Sequence, residues 1–537
     1  MSRQRDFSYY EAHAANVSSD DITSSDKNKR TLQRLRDGHI QSIGIGENFY
    51  WDFVVSEGDD LGWLGYFIGK SKSLRKLTIE VWSEDVIHAL SDGIARNQSI
   101  KNVIVSELSS DGLAAVARTL GNLTQLEELR LEAPDDIDPL GARRPISNCV
   151  ALGNLLLSGI RLKHLSLDGY FIGSAGMALL GRGLRSIGSS LEGLTLCDGS
   201  IGSEGLLTLA AALADCTSIK KLNLGGNDFS MAASGLGALS GWLQTAGIQL
   251  DELGLRDCGL NNEGLQALIE GAVNHCSYLV LASNRRITAS GLRFLSTALQ
   301  SKRCCLEKLN IGDMSIGDDT AELFARALVG NRTLRSLYLA SGEDEEFDIP
   351  ITPAGWSAFS EALCDTSSVN NTYNHSNHNF SEFLRDYYGQ DIGYEDIPRN
   401  LARYLWLNRR YPQQAAKCKI LMSHAHLDMS PFFKCELKFL PLAVDWFERA
   451  KPCTALSFGE NPILEESDEV FQSRVLTALY QFVRGIPGKV LERRGEMTLV
   501  AAYDLEKKRL RKDVEERDVT IAQLKQRLRE ISQLAKS

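Results

Sequence analysis

The residues best equipped for chemistry are His424, His426 and Asp428, because two imidazoles and a carboxylate at alternate positions can share a divalent metal when they leave a strand. The reaction would then be metal-assisted hydrolysis. Here, however, Ala416, Ile420, His424 and Leu427 recur at helical spacing, and positions two apart on a helix point about 200° away from each other. His424 reads as a packing or cap histidine. The run Gly65-Tyr66-Phe67-Ile68-Gly69-Lys70-Ser71 has the residue types of a phosphate-cradling loop, but three residues separate its glycines where that loop needs four. It also closes a helical pattern instead of following a strand. His375 and His378 lie among Asn and Ser that suit a capped turn, and Cys304-Cys305 suit small packing positions. No nucleophile and base stand in a recognisable motif. The expectation is no catalytic residue, no metal ligand set and no cofactor.

The elements that position these residues have to fit a chain of 537 residues, longer than one compact core usually grows. Hydrophobic residues at 43% and charged residues at 24% suffice for a packed interior. A net charge of -10 argues against nucleic acid, whose phosphates call for a surplus of Lys and Arg. Eleven cysteines without CxxC pairs read as reduced thiols, which implies a cytoplasmic or nuclear setting. The first thirty residues carry no apolar run behind their basic residues, so they read as a flexible arm and not as a signal peptide. No stretch is apolar enough for a membrane helix, and no membrane partner is expected.

A repeat organises the chain beyond this arm. Leu162-Leu165-Leu167, Leu191-Leu194-Leu196, Ile219-Leu222-Leu224, Leu250-Leu253-Leu255, Leu306-Leu309-Ile311 and Leu334-Leu337-Leu339 share the pattern L-x-x-L-x-L, with starts 26 to 31 residues apart once the weaker Cys276-Leu279-Leu281 is counted. Looser copies begin at Ile40, Leu74, Ile100 and Leu126, giving eleven units, and a degenerate one sits near Val369. Alternation over each strand buries the leucines, and Leu206, Leu209 and Leu213 then recur at helical spacing toward the same core. One unit is strand, tight turn, helix. Such a unit cannot bury both faces alone, so stacked copies share a continuous core. Three residues past the last leucine stand Asn227, Cys258 and Asn284, small polar groups able to satisfy backbone at the turn, while Tyr170, Gly199 and Met314 interrupt the series.

These motifs resemble the ribonuclease-inhibitor type of leucine-rich repeat over residues 31–380. The resemblance implies an α/β solenoid, a horseshoe with a concave parallel sheet and outer helices, whose concave face and loops bind proteins. Residues 381–490 read as a helical C-terminal cap opened by the helix of Leu401, Tyr404 and Leu405, with a kink at Pro441. This block is similar to the C-terminal part of uncharacterised repeat proteins of unicellular algae. Residues 491–537 read as a charged amphipathic helix in which Leu510, Val514, Ile521, Leu524, Leu528 and Ile531 keep heptad spacing around Arg517. That pattern suits a weak homodimer through a coiled coil or, equally, docking on the solenoid.

The function expected is a non-enzymatic scaffold for another protein, with regulation of a small GTPase as the alternative and the metal hydrolase third. The side chains that should face the partner are Glu128, Arg130, His164, Lys221, Asn223, Glu252, Arg256, Lys308, Asn310 and Tyr338. Two acidic loops, with Asp135, Asp136 and Asp138 after one strand and Glu343, Asp344, Glu345, Glu346 and Asp348 after another, could steer a basic partner.

Overall fold

The computed structural model describes residues 5–80, 84–108, 110–134, 145–314, 316–340, 351–385, 390–392, 397–424, 457–458, 461–462, 473–478 and 480. The chain divides into two compact units, Met1–Asp365 with His375–Ala415 and Thr366–Asn374 with Ala416–Ser537.

In the first unit the strands are β1 (Ser42–Gly46), β2 (Phe53–Val54), β3 (Lys76–Glu80), β4 (Asn102–Ser106), β5 (Glu128–Glu132), β6 (His164–Asp168), β7 (Gly193–Cys197), β8 (Lys221–Asn223), β9 (Leu250–Gly254), β10 (Cys276–Val280), β11 (Lys308–Asn310), β12 (Ser336–Ala340), β13 (Glu382–Arg385) and β14 (Gln390–Asp391). They form one open sheet in chain order, except that β2 lies outside β1, and only the pair β13 and β14 is antiparallel. A helix leads into each strand from β3 to β13, and successive helices lie side by side on one face. Leu194 and Leu196 of β7 and Leu206, Leu209 and Leu213 of the helix Gly202–Leu213 are all buried, as the two sequence periods require. This is a leucine-rich-repeat solenoid.

The glycines of the phosphate-loop lookalike serve helix packing. Helix Leu61–Lys70 approaches helix Glu84–Arg96 so closely that a Cβ on Gly65 would lie 2.6 Å from the Ala89 carbonyl oxygen, and one on Gly93 only 1.8 Å from that of Gly65. Gly93→Ala should therefore cost about 1–3 kcal/mol by forcing the backbones apart, although alanine favours helix by about 1 kcal/mol. Denaturant midpoints measure this, and an unchanged or raised midpoint would contradict it.

Two boundaries differ from the sequence reading. Residues 5–30, expected as a flexible arm, are mostly helical, with Phe7–His13, Ser19–Ile22 and the start of Asp26–Arg36 each capped by a side chain of Asp6, Ser18 or Ser25. The reason is the open end of the array: the Phe7 and Tyr10 rings pack on Tyr66 and Trp63 of the first repeat helix, at 5.0 and 4.9 Å between centroids. The sheet also continues past residue 380, because Phe380 and Phe383 take the leucine positions of a twelfth unit. Helix Arg399–Arg410 packs beside Pro353–Leu363 in the helical layer, and Asn408 Nδ2 donates to the Asn377 and Phe380 carbonyls at 3.2 and 2.6 Å. It prolongs the array instead of opening a separate cap.

In the second unit the His424 ring meets the Thr372 hydroxyl at 2.8 Å, and Arg474 donates to the Met422 carbonyl. His426 and Asp428 lie outside the described residues, as do Pro441 and residues 491–537, where a charged helix was expected. Among the described residues no His, Cys, Asp and Glu cluster is placed to hold a metal, and no helix is long and apolar enough to cross a membrane.

Candidate protein-docking face

Among the described residues one face of the sheet carries no helix, and the register aligns its side chains in columns. One column runs Lys76, Asn102, Glu128, His164, Gly193, Lys221, Glu252, Tyr278, Lys308, Ser336 and Glu382. The next includes Thr78, Ile104, Arg130, Ser166, Thr195, Asn223, Gly254, Val280, Asn310 and Tyr338. Glu128, Arg130, His164, Lys221, Asn223, Glu252, Arg256 and Lys308 are exposed or half-buried, as the alternation predicts. Lys221 pairs with Glu252 at 3.7 Å and Arg130 with Glu132 at 2.5 Å.

Asn310 and Tyr338 differ from the expectation of exposed positions. Tyr278 on β10 and Tyr338 on β12 stack at 5.7 Å across the intervening β11, whose Asn310 is only 1% exposed. Side chains from the strands on either side bear on this burial, so alternation along a strand is silent about it. Asp135, Asp136, Asp138 and Glu343, Asp344, Glu345, Glu346 and Asp348 lie outside the described residues.

The turns after the strands are held from inside. Asn227 Nδ2 donates to the Leu196 and Leu224 carbonyls, both at 2.8 Å, and its Oδ1 accepts from Ile201 N–H at 3.1 Å. Asn284 repeats the arrangement, and between them the Cys258 thiol donates to the Leu224 carbonyl at 3.2 Å. Burial pushes that thiol up to about 12, which keeps it a neutral donor. The Tyr170 hydroxyl reaches the Leu108 carbonyl at 2.9 Å, so a tyrosine fills the same role where the series breaks.

The two lips of the sheet carry charge differently. Just before the strands, Lys101, Glu127 and Lys163 pair in succession at 2.5 and 2.8 Å, and Glu192 pairs with Lys220 at 2.9 Å. Hydrogen bonds from Lys101 and Lys163 hold the Glu127 carboxyl down at about 2. Just after the strands, Glu107, Asp198, Asp257 and Asp313 have positive φ, a turn conformation that Asp tolerates better than most side chains. A cleft of about 570 Å³ opens here, lined by Glu80, Glu107, Glu132, Asp168 and Asp198 among others. Burial, and then the Glu132 charge, raises the Asp168 carboxyl, while burial and then the Asp168 and Asp257 charges raise Asp198. No sequence motif marks this acidic lip, although a carboxylate recurs one or two places past the third apolar strand position.

Strand, tight turn and helix on one shared core define a ribonuclease-inhibitor-like leucine-rich-repeat protein. No family model matches the chain. It is 30% identical over 259 residues to the ribonuclease inhibitor of Sus scrofa, covering 47% of this chain and 54% of that protein. It is 26% identical over 254 residues to NACHT, LRR and PYD domains-containing protein 14 of Mus musculus, covering 47% of this chain and 25% of that one. Among solved structures, the leucine-rich repeat-containing protein LegL7 from Legionella pneumophila aligns with 67% of this chain and 98% of its own, at a TM-score of 0.36 and 14% identity. The chain spans about half the length of the ribonuclease inhibitors it matches, 54% of one and 46% of another.

Proposed function

We propose that this protein is a non-enzymatic scaffold that takes up another protein on the helix-free face of its sheet. The observation that carries this reading is the unbroken register of outward side chains from Lys76 to Glu382, which presents polar and charged groups at a strand spacing of about 4.8 Å. The ribonuclease inhibitors it resembles are named for a protein target, which supports a protein as the ligand here.

The test is recovery of a stoichiometric protein from native lysate by the wild-type chain and by a Glu252→Lys, Arg256→Glu double variant. Both residues lie on or beside β9 and neither is buried, so folding should change by no more than about 1 kcal/mol, the lost Lys221–Glu252 pair included. The variant should lose the partner while its circular dichroism and melting temperature hold. Full retention would move the docking surface off β9. A GTP hydrolysis assay with added GTPases separates the narrower reading of a GTPase regulator, which absence of acceleration would remove.

A further inference from the structure

The loop between β1 and β2 displays two aromatic rings, and the way it is held shows that the display is not needed to anchor it. Trp51 lies across the helix-free face of β1, where a Cβ on Gly44 or Gly46 would come within 2.5 or 2.3 Å of its ring. The Trp51 indole donates to Glu80, the Asp52 carboxylate accepts from Gly44 N–H at 2.9 Å, and Lys27 reaches the Phe49 carbonyl. Val55 N–H then returns to the Gly46 carbonyl at 2.8 Å. With the loop fixed by these contacts, Phe49 and Tyr50 stand 72% and 80% exposed, their centroids 3.9 Å apart.

The residues on either side of this aromatic pair, Asn48 and Trp51, reach the acidic cleft. Glu80, which receives Trp51 and also Asn48 Nδ2 at 3.3 Å, lines the cleft with Glu107, Glu132, Asp168 and Asp198. Among the described residues, all the charged side chains lining it are acidic, and the carboxylates come from five successive repeats. Among the described residues no such group is gathered closely enough to share one metal ion. Glu132 is already paired with Arg130, whereas the other dispersed carboxylates ask for separate cations, and exposed aromatic faces attract the same cations through their ring quadrupoles. The one chemistry that satisfies both is a row of guanidinium or ammonium groups. From β3 to β7 the lip spans about 19 Å, the length of about six extended residues.

We infer that the Phe49–Tyr50 loop and the acidic lip from Glu80 to Asp198 together take an extended Arg- and Lys-rich segment of the partner protein. The inference rests on the protein-scaffold reading and specifies where, and by what chemistry, the partner is held.

The experiment measures binding of octa-arginine and octa-glutamate peptides to the full chain by fluorescence anisotropy at low and high salt. Octa-arginine should bind at one peptide per chain and weaken as salt rises, while octa-glutamate should not bind. Phe49→Ala with Tyr50→Ala should weaken octa-arginine about tenfold, and these residues are exposed enough for the fold to survive. Asp168→Asn with Asp198→Asn, which keeps side-chain shape, should weaken it about as much and flatten the salt dependence. Glu270→Gln with Glu361→Gln, two exposed carboxylates on the helices, should leave it unchanged.

Wild-type affinity in the aromatic variant, or an equal loss in the Glu270 and Glu361 variant, would overturn the inference. In lysate, a partner lost by Glu252→Lys, Arg256→Glu but kept by both the aromatic and the Asp168, Asp198 variants would overturn it while leaving the scaffold reading intact. Failure of every form to recover a protein would remove the scaffold reading itself.

Discussion

Asn284→Ala should destabilise the protein by about 3–5 kcal/mol, because it strands four backbone groups at once. The side-chain amide donates to the Leu255 and Leu281 carbonyls at 2.7 and 2.8 Å, and its oxygen accepts from Cys258 and Leu260 N–H at 3.0 and 2.9 Å. Asn284 is fully buried, so no bulk water replaces these bonds at once. Each buried group left unmade costs about 1–3 kcal/mol, and partial relaxation keeps the total below the full sum. Urea unfolding followed by circular dichroism measures the loss, and faster amide exchange at Cys258 and Leu260 should accompany it. A loss below about 1 kcal/mol would mean that the turn holds without the asparagine.

Leu253→Ala is the second large effect, at about 2–5 kcal/mol. Leu253 is 0% exposed on β9, in register with Leu222 on one neighbour and Leu279 on the other. Truncation leaves a void in the core between sheet and helices, and an array whose repeats touch only their neighbours can fill it only from those two sides. The adjacent Glu252, pointing the opposite way, supplies the internal control. Reversible denaturant unfolding that found equal costs at the two positions would contradict the register.

Most of the repeat architecture was legible in the sequence because leucine spacing records burial directly. The strands at Leu165, Leu194, Leu222 and Leu253 lie where the pattern places them. The pattern lost its signal where other residues took over the same packing. Phe380 and Phe383 replace leucine in the twelfth unit, so its strand was reduced to a degenerate repeat near Val369. The N-terminal segment looked polar because only a few residues, among them Phe7, Tyr10 and Ile22, carry its burial, and the rings that Phe7 and Tyr10 meet stand in the first repeat.

The docking face was legible only as far as one strand can speak for itself. Glu128 or Lys221 points outward by alternation alone, whereas the burial of Asn310 depends on tyrosines from the strands on either side. Trp51 over Gly44 and Gly46 was invisible for the same reason, since nothing in the run from Ile45 to Phe53 indicates that it folds back on the strand before it.

The paired lip before the strands constrains how this array can change length. Lys101, Glu127, Lys163, Glu192, Lys220 and Asp251 occupy one position in six successive repeats and alternate strictly in sign, joined through the backbone by N–H to carbonyl bonds. Deleting one repeat between Lys101 and Lys220 would set two like charges side by side, because their neighbours of opposite sign leave with it. Deleting or duplicating two together restores the alternation. This stretch of the protein therefore has a natural unit of growth twice as long as its structural repeat, and a lineage that gained or lost single repeats here would be expected to show compensating charge changes along this edge.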